Sequence, residues 1–422
     1  MKIAAPKDKA INGTITIPAS KSISNRVLII DALCQEKINY RNLSNSDDTN
    51  VLANSLKEIN ANNTEVLTID VGMAGTSFRF LTAYLSLQKG SFILTGSSRL
   101  KERPIKPLVD ILIVLGADIT YLEKEGFAPL FIKGKKLQGK TISINASISS
   151  QFITALMLIG PKLTSGLEIE LKGKITSFPY LKMTQKLMNH FGIAVSFQDK
   201  TFSIPTQEYK NNILYIEADW SSASYFYESL AIADKGQLTL KNYSENSIQG
   251  DAKLAAIYKA FGVQTAFIDD CIVLSKTAFD SKSIFRYNFT NEPDLVQAVV
   301  STCVALNKKA ELSGLESLKI KETDRILALK IEINKLNWDL VEKENDIYFL
   351  EPTSSKEIAE NLVFKTYNDH RMAMCLAPLS LKFGKIEIEN PKVVSKSNVI
   401  FWELMELVGF IVVRIENYES RF

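Results

Sequence analysis

A recurring helix stop is the feature that most constrains the fold of this 422-residue chain. An apolar helical segment repeatedly ends at Gly or Asn and is followed by a β-type run. The stops are Asn60, Gly116, Gly192, Gly262, Asn337 and Gly409. Gly and Asn accept the left-handed conformation that ends a helix, which gives the pattern a physical cause. Successive stops lie 56 to 76 residues apart, enough for about two helices and two strands per unit.

Units of this size are too small to bury their own apolar faces, so they must share a core. The six stops therefore predict an α/β (α+β) chain of six units, three in each of two domains. We expect short crossovers near Ser20 and near residue 218. The predicted domains are residues 1–19 with 219–422, and an inserted domain of residues 20–218.

Composition argues against several classes of protein. The net charge of +3 is nearly balanced, so neither a nucleic-acid partner nor a membrane surface is indicated. The four cysteines, Cys34, Cys271, Cys303 and Cys375, form no C-x-x-C pair, and no His/Cys cluster has metal-ligand spacing. The first residues contain no apolar stretch of signal-peptide length. We therefore expect a reduced, cytoplasmic protein without a metal or cofactor.

Residues 18–26 (PASKSISNR) predict an anion-binding site. An alternating strand enters this stretch, Pro18 ends it, and an apolar helix leaves it from about Ser22 to Leu33. Ser20 or Ser22 can cap that helix. Its first turn then offers free N–H groups, hydroxyls, Lys21 and Arg26 to an anion, with the helix dipole favouring negative charge.

Two further motifs combine cations with carboxylates. Residues 321–325 (KETDR) place Lys321 and Arg325 four residues apart on one helical face, with Glu322 beside them. Residues 368–374 (NDHRMAM) open an apolar helix and contain His370, one of two histidines. From the residues alone, a solvated charged helix start and a capping or packing histidine remain open alternatives.

Taken together, six motifs resemble those of the 5-enolpyruvylshikimate-3-phosphate (EPSP) synthase family, in the family's order and over nearly the whole chain. They are residues 18–26, 74–76 with Arg79, 99–104, 149–151, 321–325 and 369–374. The resemblance implies the two-domain enolpyruvyl transferase fold, an inside-out α/β barrel of three βαβαββ repeats per domain with a substrate cleft between domains. It also implies transfer of the enolpyruvyl group of phosphoenolpyruvate to the 5-hydroxyl of 3-phosphoshikimate, with release of phosphate.

The reaction so implied is an addition–elimination through a tetrahedral intermediate, in the shikimate pathway to chorismate and aromatic amino acids. The resemblance assigns catalysis to Asp294 as base, Glu322 as acid, and Lys21. The implied 3-phosphoshikimate contacts are Lys21, Ser22, Arg26, Ser149, Ser150, Gln151, Ser177, Tyr180, Asp294, Ser317 and Lys321. The implied phosphoenolpyruvate contacts are Lys21, Gly75, Thr76, Arg79, Arg99, Gln151, Arg325, His370, Arg371 and Lys396.

Three positions depart from the family pattern. Met73 and Ser317 stand where asparagine is usual, and Phe80 stands where proline is frequent. The departures at Met73 and Phe80 leave sensitivity to glyphosate, an inhibitor of the family, undecided.

Three alternative functions agree less well with these residues. The UDP-N-acetylglucosamine enolpyruvyl transferases have Lys-Asn after the first strand, whereas here Ser22 follows Lys21. An RNA 3′-phosphate cyclase would need a histidine nucleophile, for which only His370 is a weak candidate. A non-catalytic anion-binding protein would not need the carboxylate pair Asp294 and Glu322. We expect a monomer that binds two small anionic substrates.

Overall fold

The computed structural model describes residues 1–61, 64–344, 346–353 and 357–414. The strands in these ranges are β1 (Lys2–Ala4), β2 (Ala10–Thr16), β3 (Asn39–Arg41), β4 (Val66–Asp70), β5 (Gly90–Thr95), β6 (Asp118–Tyr121), β7 (Leu130–Gly134), β8 (Thr141–Asn145), β9 (Leu167–Lys172), β10 (Ser196–Gln198), β11 (Thr201–Ile204), β12 (Ile213–Tyr215), β13 (Lys235–Lys241), β14 (Val263–Ile268), β15 (Cys271–Lys276), β16 (Phe285–Asn288), β17 (Ala310–Ser313), β18 (Trp338–Glu344), β19 (Ile347–Pro352), β20 (Leu362–Phe364), β21 (Ile386–Ile388) and β22 (Ile411–Val413).

The α-helices in the same ranges are α1 (Lys21–Leu33), α2 (Asp47–Ala61), α3 (Gly75–Leu85), α4 (Ser98–Lys101), α5 (Lys106–Val114), α6 (Ser150–Ile159), α7 (Phe178–His190), α8 (Trp220–Ile232), α9 (Leu254–Ile257), α10 (Val296–Ala305), α11 (Arg325–Asn334), α12 (His370–Leu376), α13 (Ser380–Phe383) and α14 (Phe401–Leu407). Short 3₁₀ helices cover Gly160–Lys162, Gly250–Lys253, Tyr258–Phe261, Pro293–Leu295, Glu316–Ile320, Ala377–Leu379 and Pro391–Lys396. None of the helices described is long and apolar enough to cross a bilayer.

One sheet pattern recurs through the described residues. In chain order, the first strand of the sheet runs parallel to the second. The third and fourth strands form an antiparallel pair, and the fourth strand lies beside the second. The sheets with this order are β4-β5-β7-β6, β8-β9-β11-β10, β2-β13-β15-β14 and β16-β17-β19-β18. The sheet β20-β21-β1-β22 has the same arrangement, with β1 from the start of the chain in the place of the fourth strand. A helix links the first strand to the second in each sheet. In the sheet that begins with β2, this connection also contains residues Ala19–Ile216. This is the βαβαββ repeat, so the predicted α/β fold class is confirmed.

The sixth repeat is shorter than predicted. Its sheet contains β12 and β3, which are parallel, and no hairpin strand joins them among the residues that the structure describes. Asn60 is also not a helix stop, since α2 continues to Ala61. The five other stops do have positive φ, from 62° at Asn337 to 110° at Gly409. The missing hairpin explains why the interval after Asn60 is shorter than the others.

The chain divides into two compact units. Unit 1 consists of Met1–Pro18 with Glu217–Phe422, and unit 2 consists of Ala19–Ile216. Unit 1 contains three complete repeats, whereas unit 2 contains two complete repeats and the shortened one. The domain boundaries predicted from the sequence fall at 19/20 and 218/219. We propose that the two units are the two domains.

The first helix of each repeat forms the centre of its unit. In unit 1, α8, α10 and α12 pack against one another, and every residue of α10 (VQAVVSTCVA) is buried. A helix without a polar face is stable only when other elements cover it on all sides. The second helices, such as α7 and α11, have exposed positions and cover the outside. The exposed positions of α7 are polar, whereas those of α11 include Leu327 and Ile331. The N-terminal turns of the central helices carry most of the polar motifs, and residues 321–325 lead into the outer helix α11.

The helix stops allow a direct stability test in unit 1, which contains all three tryptophans, Trp220, Trp338 and Trp402. A Cβ on Gly262, at φ 73°, would lie 2.3 Å from the Thr277 carbonyl oxygen. We expect Gly262→Ala to lower the free energy of unfolding by about 2–4 kcal/mol, from left-handed strain plus this clash. Denaturation followed by tryptophan fluorescence measures the change.

Asn337→Ala is the matched control, because Asn337 occupies the same type of stop at φ 62° and already has room for its Cβ. We expect it to cost only about 1 kcal/mol. Equal losses for the two variants would show that the clash at Gly262 does not matter.

Candidate active site

Arg325 is the centre of the polar cluster in unit 1. Its Nε lies 2.7 Å from Asp369 Oδ2, its Nη1 3.2 Å from Asp294 Oδ1, and its Nη2 2.9 Å from Glu322 Oε2. The Arg325 side chain is 2% exposed and the Asp369 carboxylate is fully buried. Charge-assisted contacts of this kind are the stronger hydrogen bonds in proteins. Arg325 therefore holds two predicted catalytic carboxylates and a third that caps a neighbouring helix.

The helix starts explain why these groups meet. Arg325 is the first residue of α11, which Asp324 caps by accepting the Leu327 N–H. Asp369 caps α12 by accepting the Arg371 N–H at 2.9 Å. Asp294 lies in the 3₁₀ turn Pro293–Leu295 that leads into α10. Three helix N-termini thus present their side chains to one place in unit 1.

Two more cations complete the cluster. Arg371 Nη2 lies 2.7 Å from Asp294 Oδ2, and Lys396 Nζ lies 3.0 Å from Glu322 Oε1. Each of the two predicted catalytic carboxylates is therefore held by two cations, Arg325 being common to both. Arg371 also reaches the Tyr225 hydroxyl of α8 at 3.5 Å. An anion that binds to Arg325, Arg371 or Lys396 must therefore share that cation with a carboxylate.

The electrostatics of Asp294 follow from this arrangement. Burial alone would raise the pKa of Asp294, but the positive charges of Arg371, Lys321 and Arg325 outweigh it and hold the pKa well below the ordinary range. Asp294 is therefore ionised at neutral pH, as a base must be. A base with so low a pKa is weak, however, and it becomes stronger only when its cations are neutralised by a bound anion.

The remaining sequence-predicted residues of unit 1 lie at or near this cluster. Lys321 precedes α11 and acts electrostatically on Asp294. His370 is buried at the start of α12, with its Nδ1 3.6 Å from Asp369 Oδ1. Ser317 lies partly buried in the 3₁₀ helix Glu316–Ile320, four residues before Lys321. None of these positions by itself assigns a ligand contact.

Asp251 is a buried acid next to this cluster that the sequence analysis did not select. Burial, and then the negative charge of Asp294, raise the pKa of Asp251 to about 7. Its Oδ2 accepts a hydrogen bond from Ser221 Oγ in the first turn of α8, while its Oδ1 is buried with no described partner. Asp294 and Asp251 therefore have pKa values pushed far apart, which is typical of sites that move protons.

In unit 2, the start of α1 follows the sequence prediction. Ser20 caps the helix by accepting the Ile23 N–H at 3.4 Å. Lys21, the first helical residue, places its Nζ 3.1 Å from Asp48 Oδ2 in the first turn of α2. Both side chains are largely buried, so Asp48 fixes the direction of Lys21.

Arg26 joins three helices of unit 2. Its guanidinium donates to Thr184 Oγ1 at 2.8 Å, to Thr154 Oγ1 at 3.4 Å and to the Tyr180 carbonyl at 3.3 Å. It also donates to the Ser22 carbonyl at 2.7 Å, within its own helix. Burial lowers the pKa of Arg26 to about 10. With these contacts Arg26 has a structural role in addition to its predicted binding role.

The hydroxyl-rich turns of unit 2 lie at helix starts. Ser149 caps α6 by accepting the Gln151 N–H at 3.3 Å, and Ser150 is the first residue of that helix. Gln151 Nε2 donates to Thr76 Oγ1 of α3 at 3.1 Å. Ser177 precedes α7 in the left-handed conformation, with φ 54° and no side-chain capping bond. The starts of α3 and α6 are therefore joined by side chains predicted to bind substrate.

Two guanidinium groups converge on the start of α3. A Cβ on Gly75 would lie 2.5 Å from Arg79 Nη1 and 2.4 Å from Arg103 Nη1, so glycine allows this approach. Arg79 also donates to the Gly75 carbonyl at 2.8 Å. Arg99 lies in α4, where it is 40% exposed and pairs with Glu102 at 2.7 Å.

Two of the three departures from the family pattern lie in unit 2. Phe80 is buried within α3, and its ring lies 5.8 Å from the Arg26 guanidinium. Met73 is partly buried, two residues before that helix. Phe80 therefore lies beside a predicted substrate-binding cation, which makes it the departure with the clearer physical consequence.

Sequence reasoning missed several partners that the structure supplies. Asp369 and Asp48 orient predicted site cations, Arg103 approaches Gly75, and Thr154 and Thr184 hold Arg26. Asp369 had a usable signal, since an aspartate directly before an apolar helix is a preferred N-cap. In the parts of the chain that the structure describes, no group of three or more His, Cys, Asp or Glu side chains could hold a metal ion.

The repeated fold and these clusters define the class of protein. Solved EPSP synthase structures from Acinetobacter baumannii match the chain with TM-scores of 0.77 and 0.76, covering 98% of this chain and 99–100% of theirs. Their sequence identity to the chain is 20%, so this likeness shows the enolpyruvyl transferase fold alone.

The sequence comparisons define the family. Residues 6–405 match the model of the EPSP synthase (3-phosphoshikimate 1-carboxyvinyltransferase) family. The 3-phosphoshikimate 1-carboxyvinyltransferase of Bacteroides fragilis strain YCH46 is 42% identical over 97% of both chains. That of Photobacterium damsela subsp. piscicida is 36% identical over 92% of this chain and 94% of its own. The chain belongs to the EPSP synthase family and is an enolpyruvyl transferase, as predicted; the alternatives are not favoured.

The raised pKa of Asp251 makes a prediction about pH. A carboxyl whose pKa is about 7 in the folded protein and 3.8 when unfolded contributes stability that is lost as the pH rises between these values. Asp251→Asn removes this titration. We expect the free energy of unfolding of this variant, relative to that of the unchanged protein, to rise by about 1.4 kcal/mol for each pH unit between pH 5 and pH 7. Denaturation followed by tryptophan fluorescence at each pH measures the difference.

Ser221→Ala is the control, because it keeps the Asp251 carboxyl and removes a hydrogen bond that lowers its pKa. This variant should keep the pH dependence and shift it to higher pH. A constant difference between Asp251→Asn and the unchanged protein would mean that Asp251 is ionised throughout.

Proposed function

We propose that this chain transfers the enolpyruvyl group of phosphoenolpyruvate to the 5-hydroxyl of 3-phosphoshikimate through the predicted site residues. In this mechanism Asp294 takes the proton of the 5-hydroxyl, and Glu322 protonates the methylene carbon of phosphoenolpyruvate. The tetrahedral intermediate then loses phosphate, and the Glu322 carboxylate takes back a proton from the methyl group. The cations hold the phosphates and the carboxylate and stabilise the departing phosphate.

The main support for the proposal is that Arg325 contacts both predicted catalytic carboxylates. Asp294 and Glu322 are held by this one guanidinium, at 3.2 and 2.9 Å, so two carboxylates lie on either side of a shared cation. Addition to an enol carbon needs a proton delivered at one atom and removed at another, which suits such a pair. A protein that only binds anions has no need of it.

The charges of the cluster suggest how binding starts the chemistry. Lys396, Arg371 and Arg325 are occupied by carboxylates in the described structure. An anionic substrate that contacts these cations weakens their hold on Asp294 and Glu322. The pKa of Asp294 then rises, so that Asp294 becomes a stronger base.

Unit 2 would contribute the groups that bind phosphate. Ser149, Ser150, Ser177 and Gln151 are hydroxyl and amide groups at helix starts, where free N–H groups also favour anions. Lys21 and Arg26 are pre-oriented by Asp48 and by Thr184. We propose that these groups bind 3-phosphoshikimate, with Gly75, Thr76, Arg79 and Arg99 serving phosphoenolpyruvate.

We further propose that the enzyme is a cytoplasmic monomer. The thiols of Cys34, Cys271, Cys303 and Cys375 are all free, which agrees with a reducing compartment. Size-exclusion chromatography with light scattering tests the oligomeric state; a mass near the chain's 47.2 kDa supports a monomer, and a multiple of it contradicts one.

The acid–base roles are tested with Asp294→Asn and Glu322→Gln. We expect each to lower kcat by about 10²–10⁴-fold, with a much smaller change in KM, because proton transfer acts in the transition state. Phosphate release with shikimate 3-phosphate and phosphoenolpyruvate gives both constants. Asp324→Asn is the control: it keeps the α11 cap next to Glu322 and should stay active. A variant with raised KM and unchanged kcat would identify a binding residue instead.

The role of Lys21 is tested with Lys21→Met, which we expect to abolish turnover. The change leaves Asp48 buried without this cation, so folding must be checked by circular dichroism and thermal melting. Lys21→Met with Asp48→Asn removes the unpaired charge and should restore stability but not activity. Near-normal phosphate release by either variant would contradict the proposed role.

A further inference from the structure

A set of buried polar groups lies among the central helices of unit 1, outside the catalytic cluster. Both carboxyl oxygens of Glu228 and both amide atoms of Gln297 have no hydrogen-bond partner among the described residues, and the nearby Ser301 hydroxyl contacts the Cys375 thiol. All three side chains have 0% exposure. Glu228 lies on α8, and Gln297 and Ser301 lie four residues apart on one face of α10.

Several contacts place these groups in one region of the core. Cys375 of α12 interacts with both Glu228 and Ser301. The charge of Glu228 also acts on Tyr258, whose hydroxyl lies 2.9 Å from Thr302 Oγ1, next to Ser301 on α10. Because α8, α10 and α12 pack against one another, the polar groups face a shared interior.

Buried polar groups without partners are strongly destabilising, and a carboxyl and an amide together would offset much of a typical domain's stability. Burial raises the pKa of Glu228 well above its usual value, because the charged form is the one that loses most on leaving water. An unfilled site is therefore hard to reconcile with a stable fold.

We propose that Glu228, Gln297 and Ser301 line an internal water site that bridges α8 and α10 in the core of unit 1. Water is the ligand that suits these groups, because it both donates and accepts and makes about three bonds in buried sites. Gln297 follows Asp294 by three residues, so the bridge would fix α10 within about a helical turn of the catalytic cluster.

A crystal structure at high resolution, grown from rubidium chloride, tests the proposal directly. We expect at least one ordered water within hydrogen-bond distance of Glu228 and of Gln297 or Ser301. A dry site would overturn the proposal. An anomalous peak at the site would overturn it as well, because it would show a rubidium ion in place of water.

A double-mutant cycle tests the bridge in solution with Glu228→Leu, Gln297→Leu and the double variant. A water shared by both side chains couples them, so their effects on the unfolding equilibrium constant should differ from additivity by at least about threefold. Glu228→Gln is the conservative variant, which should keep the water and the coupling. Effects that add within error, or single variants that each stabilise unit 1, would indicate unpaired groups in a dry core.

Discussion

The ion pair between Arg325 and Asp369 is the interaction on which the rest of the cluster depends. It joins the first residue of α11 to the N-cap of α12, with both side chains almost fully buried. Loss of one partner from such a pair leaves an uncompensated buried charge and costs about 3–5 kcal/mol. Asp294 and Glu322 are oriented by the same guanidinium, so their positions follow from this pair.

The repeat explains how polar groups reach the centre of an otherwise apolar fold. The first helix of each repeat is buried along its length, and its start is the place where the chain leaves a strand. Asp or Ser is preferred as the cap of such a start and occurs at Asp219, Asp369 and Ser149. In unit 1 the starts carry carboxylates and cations, whereas in unit 2 they carry mainly hydroxyls and cations. The two carboxylates predicted to transfer protons thus belong to unit 1, and the serines predicted to bind 3-phosphoshikimate at helix starts belong to unit 2.

Much of this was predictable from local sequence, because helix stops and caps depend on residues close in the chain. The stops at Gly116, Gly192, Gly262, Asn337 and Gly409 were correct, since left-handed backbone favours Gly and Asn. Asn60 was wrong, because an Asn also fits the last turn of a helix.

Pairings between distant residues were not predictable. Arg325 and Asp369 are 44 residues apart, and Lys21 and Asp48 are 27 apart. No local pattern indicates which carboxylate a cation will meet. The raised pKa of Asp251 depends on burial and on the charge of Asp294, neither of which appears in the sequence around it.

The cations around Asp294 keep its pKa low, and anionic substrates that compete for these cations should raise it. Infrared difference spectroscopy with ¹³C-labelled aspartate, using Asp294→Asn to assign the band, measures the protonation of this carboxyl. The account predicts an ionised Asp294 from pH 4 upward in the free enzyme. It also predicts a clear rise of its titration midpoint with shikimate 3-phosphate and a phosphoenolpyruvate analogue bound. An ordinary midpoint in the free enzyme, or one that binding leaves unchanged, would contradict it.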